Sequence, residues 1–187
     1  MPNVYDEKIK EHGIILGKKF DGKSLKLRSL KETDLPLLIR WNQDRELLQW
    51  VEVNKEKVLS EEEIVKLYTK ASYHKLCFLI QFEEQAIGEC WLADFSSSGQ
   101  IKSARIDLII GEKEFWNQGI GTAVISLLTE YAFDILCFDE VFGLMRKENL
   151  RSIQAFYKCG YEFYSQGVMD DSDSLFCAYR KVKNHSK

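Results

Sequence analysis

The chain has 187 residues, 45% of them hydrophobic and 29% charged, with a formal net charge of −3 at pH 7. Such values fit an ordinary soluble globular domain, long enough to bury about 70% of its unfolded surface, and they exclude the basic footprint of a nucleic-acid binder. Cys77, Cys90, Cys137, Cys159 and Cys177 are odd in number and widely spaced in apolar segments, which excludes a disulfide framework or a metal-ligand spacing.

No apolar run reaches the ~20 residues of a membrane span, and the opening MPNVYDEKIKEHG lacks the apolar core of a signal peptide. The expected location is therefore cytoplasmic, away from membranes and nucleic acid.

Residues 1–13 are polar. Ile14 to Leu16 and Lys18 to Phe20 then run into Asp21-Gly22, a hairpin turn signal. Residues 1–23 thus read as an N-terminal extension, ordered in part as a hairpin, ahead of a single domain over 24–187. Leu25 to Leu30 alternates apolar and polar residues, as a half-covered strand does. Thr33 or Asp34 is placed to cap the next helix, with Pro36 in its first turn, and a second helical piece spans Arg45 to Trp50.

Ser60-Glu61-Glu62-Glu63 is a capping box, followed by the apolar face Ile64, Val65, Leu67 and Tyr68. Strands are expected at Leu76 to Phe82, Ala86 to Phe95 and Ile101 to Ile110, with a flexible Ser96-Ser97-Ser98-Gly99 hairpin between the last two. A helix from Ile120 carries apolar residues at Ala123, Val124, Leu127, Leu128, Tyr131 and Ala132. Glu140 to Met145 is a strand, Asn149 to Cys159 a helix stopped by Gly160, and Tyr161 to Tyr164 and Leu175 to Val182 are two further strands. This order predicts an α/β (α+β) chain: a single mixed, mostly antiparallel sheet with helices on both faces.

The stretch Ile106 to Ala132 organises the rest, because it joins a strand, a loop with two glycines and a helix N-terminus. Unpaired N–H groups and the helix dipole favour an anion there. Gly119 and Gly121 remove the β-carbons that would hold a pyrophosphate away from those donors. Glycines at this spacing equally serve a tight turn and close helix–strand packing.

Two segments resolve that choice. Trp116-Asn117-Gln118-Gly119-Ile120-Gly121 is similar to the Gln/Arg-x-x-Gly-x-Gly/Ala pyrophosphate loop of the GNAT superfamily of N-acyltransferases. The segment from Asn149 through Ser152 and Tyr157 to Gly160-Tyr161 resembles the second motif of the same superfamily. The resemblance covers about residues 24–182 and is nearest to aminoglycoside 6′-N-acetyltransferases and ribosomal-protein N-acetyltransferases. Trp116 stands where the superfamily most often has Gln or Arg, and Leu108 replaces a Gln of the aminoglycoside subgroup.

The resemblance implies acetyl-CoA as co-substrate, no metal, and a GNAT-like fold. It assigns the pyrophosphate to Asn117, Gln118, Gly119, Ile120, Gly121 and Thr122, and the pantetheine arm to Ile109 and Ile110 with Asn149 and Ser152. It makes Tyr157 the proton donor to the departing thiolate and leaves Cys159 a core residue, since transfer is direct. Asn149 also suits a helix N-cap.

Asp107 is expected to take the amine proton, because a neutral amine must attack and a carboxylate in an apolar strand is costly without a partner or a task. A structural ion pair with Arg105, on the same face of the strand, is the competing reading. Trp50, Glu52, Asp170, Asp171 and Asp173 are the candidate acceptor contacts, acidic groups suiting a cationic amine.

The expected activity is acetyl transfer to a primary amine of a small cationic molecule such as an aminoglycoside or polyamine, with antibiotic resistance a possible context. Acetylation of a protein N-terminus or lysine, and a non-catalytic CoA-binding regulatory domain, are the alternatives. The chain is expected to be a monomer or a homodimer.

Overall fold

The chain enters its sheet through the hairpin that Asp21-Gly22 announces. A computed structural model describes residues 8–51, 58–98, 101–168 and 175–184. Strand β1 (Ile15–Phe20) pairs with β2 (Lys23–Ser29), and the turn between them is left-handed, with φ of 51° at Asp21 and 75° at Gly22. Helices α1 (Leu35–Gln43), α2 (Arg45–Val51) and α3 (Glu61–His74) follow. At the start of α3, the Ser60 hydroxyl accepts the Glu63 N–H at 3.3 Å while the Glu63 carboxylate accepts the Ser60 N–H at 2.8 Å, which is the expected capping box.

Strands β3 (Leu76–Phe82), β4 (Gln85–Ser98) and β5 (Ile101–Ile110) form an antiparallel meander beside β2. Then come α4 (Ile120–Asp134), β6 (Glu140–Arg146), α5 (Leu150–Lys158), β7 (Glu162–Val168) and β8 (Leu175–Val182). The eight strands lie in the order β1-β2-β3-β4-β5-β6-β8-β7, and only β5 and β6 run parallel. Alternation along the strands splits the core into two layers. Phe78, Ile80, Cys90, Leu92 and Ile106 face α4 and α5, while Cys77 and Leu79 face α1 and α3. Helices therefore cover both faces, as the order of elements predicts.

Three local expectations differ from the structure. Ser96, Ser97 and Ser98 belong to β4, opposite Ser103, Lys102 and Ile101, because the ladder resumes after a shift between Ala93 and Ser96; Asp94 within that shift has φ 50°. Asp34 stands at the N-cap of α1 without capping it. Its carboxylate instead receives both Arg28 guanidinium nitrogens, at 2.7 and 2.8 Å, and the Lys31 N–H at 2.8 Å. Tyr161 lies outside β7, buried against Phe156 with its hydroxyl 2.6 Å from that of Thr129, and β7 runs on to Val168.

The fold places the site by parting two strands. β5 pairs with β6 only from Ser103 to Arg105, against Glu140 to Phe142. Just beyond, α5 packs tightly on β6: a β-carbon on Gly143 would lie 2.4 Å from the Phe156 ring. Residues Ile106–Ile110 of β5 are thereby left to line a cleft that runs from the N-terminus of α4 to the faces of α1 and α3.

Candidate active site

The cleft has two halves, with volumes of about 360 and 290 Å³, and Leu108, Ile109, Trp50, Asn149 and Ser152 line both. The larger half lies against the start of α4. There the first helical backbone bond runs from the Ala123 N–H to the Gly119 carbonyl at 3.1 Å, and the preceding N–H groups of the first turn have no partner inside the helix. The two glycines have different physical reasons. Gly119 has φ of 80°, a left-handed conformation that favours glycine whatever surrounds it. Gly121 is helical, and a β-carbon there would meet only Leu108 Cδ1 at 3.8 Å. Protein packing does not require glycine at 121, and the position lines the larger half of the cleft at the helix N-terminus.

Asn117, with φ of 61°, Ile120 and Thr122 line this half together with the glycines, and so do Ile109 and Ile110. Gln118 is not among the lining residues; its side-chain amide donates to the Glu114 carbonyl at 2.5 Å and braces the loop. The Ile110 carbonyl accepts the Trp116 indole N–H at 2.7 Å. Above Trp116 lies the Arg151 guanidinium, 4.0 Å from the ring centroid and 5.6 Å from that of Trp50. Arg151 thus brings a cation to a loop that has none on its Trp116-to-Thr122 segment, a role the sequence reading did not assign.

Asn149 accepts the Ser152 N–H at 3.2 Å and so caps α5 while also facing both halves of the cleft. Tyr157 is a correction. It is 70% exposed and lines neither half. Phe156, one position earlier, takes the inward direction and lines the smaller half, and successive helical residues point about 100° apart. Phe156 has no hydroxyl, so α5 presents no tyrosine among the residues that line the cleft.

The smaller half holds the titratable groups. Asp107 lines it, its side chain 34% exposed. Arg105 donates to Asp107 Oδ2 at 3.0 Å from Nε and also holds Asp94 at 2.6 Å. The ion pair with Arg105 therefore exists, and it does not remove Asp107 from the cleft. Burial pushes the Asp107 carboxyl above its ordinary range, partly offset by Arg105.

Glu89 lies deeper, 3% exposed. Its oxygens receive the Tyr68 hydroxyl, the Trp91 indole N–H at 2.8 Å and the Asn42 amide at 3.4 Å. Burial raises its pKa against those donors. Glu89, Tyr68 and Asn42 were not singled out from the sequence. For Glu89 a signal existed, a carboxylate inside the apolar run AIGECWLA.

Trp50 does reach the cleft, while Glu52, Asp170, Asp171 and Asp173 lie outside the described residues. Among the described residues, no cluster of His, Cys, Asp and Glu could hold a metal, and no helix is long and apolar enough to cross a membrane. His12 packs on Phe78 with its Nε2 3.0 Å from the Cys77 carbonyl, remote from the cleft. Cys159 is half-buried, its thiol donating to the Thr122 carbonyl at 3.3 Å.

A mixed sheet split between β5 and β6, with a glycine-bearing helix N-terminus at the split, defines an acyl-CoA-dependent transferase. The chain belongs to the GNAT acetyltransferase family, whose domain model matches residues 24–162, and its acetyl donor is acetyl-CoA.

Several solved structures share the fold, three of them as follows. Spermidine N-acetyltransferase from Vibrio cholerae, solved with CoA and spermine, has 19% identity and a TM-score of 0.72, covering 84% of this chain and 95% of its own. Mycobacterium smegmatis RimJ with CoA-disulfide has 15% identity and a TM-score of 0.75, covering 91% and 88%. Aminoglycoside acetyltransferase AAC(6')-Ib with coenzyme A has 18% identity and a TM-score of 0.72, covering 85% and 95%.

Proposed function

We propose that this chain transfers the acetyl group of acetyl-CoA directly to a primary amine of a small cationic molecule, a polyamine or an aminoglycoside. The observation that carries this is Asp107. Its carboxylate lines the acceptor half of the cleft, one residue from Leu108 and two from Ile109, which line both halves.

In this reading the pyrophosphate rests on the α4 N-terminus around Gly119 to Thr122, with Arg151 nearby to balance its charge. The pantetheine arm follows Ile109, Asn149 and Ser152 towards the parting of β5 and β6. The amine enters from the side of α1 and α3, attacks the thioester carbonyl and gives its proton to Asp107, directly or through water; the tetrahedral intermediate then collapses with cleavage of the C–S bond, and CoA leaves as the thiolate, which solvent water protonates. A backbone N–H at the end of β5 faces the developing oxyanion. A carboxyl whose pKa lies above the usual range is a better proton acceptor at neutral pH than an ordinary surface aspartate.

The Vibrio cholerae relative is named for spermidine and AAC(6')-Ib for aminoglycosides, which supports the class of acceptor. The reading is tested by Asp107→Asn, which keeps shape and removes the base. Turnover should fall by at least about a hundredfold with the acetyl-CoA KM unchanged. A loss below about tenfold would leave Asp107 as the structural partner of Arg105.

A further inference from the structure

We propose that Glu89 is the counter-ion for a second amino group of the acceptor, so that the cleft selects molecules with two amines over monoamines. This rests on the amine-acetylation reading above and adds a specificity residue to it.

Glu89 differs from the other carboxylates held inside the fold or lining its cleft. Asp34 is paired with Arg28, and Asp107 with Arg105. Glu89 is more deeply buried than Asp107, yet its partners are the neutral donors Tyr68, Trp91 and Asn42, and among the described residues no Lys or Arg forms an ion pair with it. Those donors come from α3, β4 and α1, so three separate elements hold the carboxylate. Tyr68 and Trp91 each present a hydrogen, one to each carboxylate oxygen, while the Asn42 amide is shared with the Leu38 carbonyl and the Tyr68 hydroxyl, an arrangement that fits the ionised acid better than the protonated one. A buried carboxylate held ionised and without a cation is costly unless a cation joins it.

The same residue lines the acceptor cavity. Trp91 lies directly opposite Asp107 in the β4–β5 ladder, with Glu89 two residues along on the same face. Asp107 and Glu89 are therefore diagonal neighbours, their backbones about 7–8 Å apart across the strands and both side chains on the face that lines the cavity. One amine at Asp107 and another at Glu89 of a single acceptor fit that separation.

The test is a matched pair, putrescine and butylamine, which share a chain and differ by one amino group. Calorimetric titration of each into wild-type protein saturated with CoA should show putrescine binding at least about tenfold tighter. In Glu89→Gln that advantage should vanish, with the affinities for butylamine and CoA unchanged within about twofold. Equal affinities in the wild type, or a Glu89→Gln variant that weakens both amines alike, would overturn the proposal. If Glu89→Gln fails to melt cooperatively, Tyr68→Phe, which withdraws one donor, should lower the preference without abolishing it; an unaltered preference would count against Glu89. Thiol release with acetyl-CoA, followed in parallel, reports separately on the acetylation reading, because the binding preference does not depend on turnover.

Discussion

Replacing each loop glycine in turn separates the ligand's demand from the backbone's. Gly121→Val puts a side chain where only Leu108 Cδ1 lies nearby, at 3.8 Å from the new β-carbon, in a helical conformation open to any residue. The fold should survive, and the melting temperature should stay within about 2 °C of wild type, because the substitution strains no backbone and leaves little to clash with. What the valine blocks is the approach of an anion to the first-turn N–H groups. Losing one charge-assisted hydrogen bond costs about 1.5–3 kcal/mol, a rise of roughly ten- to a hundredfold in the acetyl-CoA KM.

Gly119→Ala should behave in the opposite way. Its φ of 80° costs an L-residue about 1–2 kcal/mol, or roughly 2–8 °C in melting temperature for a chain of this size, with a smaller change in KM. Differential scanning fluorimetry and acetyl-CoA titration on both variants make the comparison. A Gly121→Val protein that binds CoA as tightly as wild type would refute the assignment of this loop.

The remaining expectations concern proton handling. Arg105→Met withdraws the cation that pulls the Asp107 carboxyl down, so its pKa should rise further and the acidic limb of kcat/KM should move to higher pH. A carboxyl raised in the folded state favours folding at low pH and loses that contribution as pH rises through its folded value. The same variant should therefore lose more stability near neutrality than in acid; a pH profile identical to wild type would contradict the coupling. Tyr157→Phe should leave kcat within about twofold, since the residue is solvent-facing, and a hundredfold loss would return the acid role to it.

The fold was legible where periodicity is strong. The alternation at Leu25 to Leu30, the capping box at Ser60 and the apolar face of α4 all sit where the pattern places them. In the larger half of the cleft, Ile109, Ile110, Asn117, Gly119, Ile120, Gly121 and Thr122 lie close together in sequence around a strand, a loop and a helix start, while Gln118 turns away from it. The smaller half was not legible in this way. Asn42, Tyr68 and Glu89 come from three elements far apart in sequence and meet only in the folded chain.

One turn beyond Ile153 the spacing allows either Phe156 or Tyr157 to turn inward, and Phe156 takes the buried position. Arg151 was overlooked since a charged side chain in a first helical turn reads as solvent-facing until Trp116 is seen beneath it.

The account rests most of all on the identity of the acceptor as an amine. Thiol release from acetyl-CoA, measured with the wild-type chain against polyamines, aminoglycosides and N-terminal peptides, addresses that claim directly. The account predicts release that depends on a polyamine or an aminoglycoside and exceeds the peptides at equal concentration. Release driven best by peptides, or no acceptor-dependent release while CoA still binds, would contradict it.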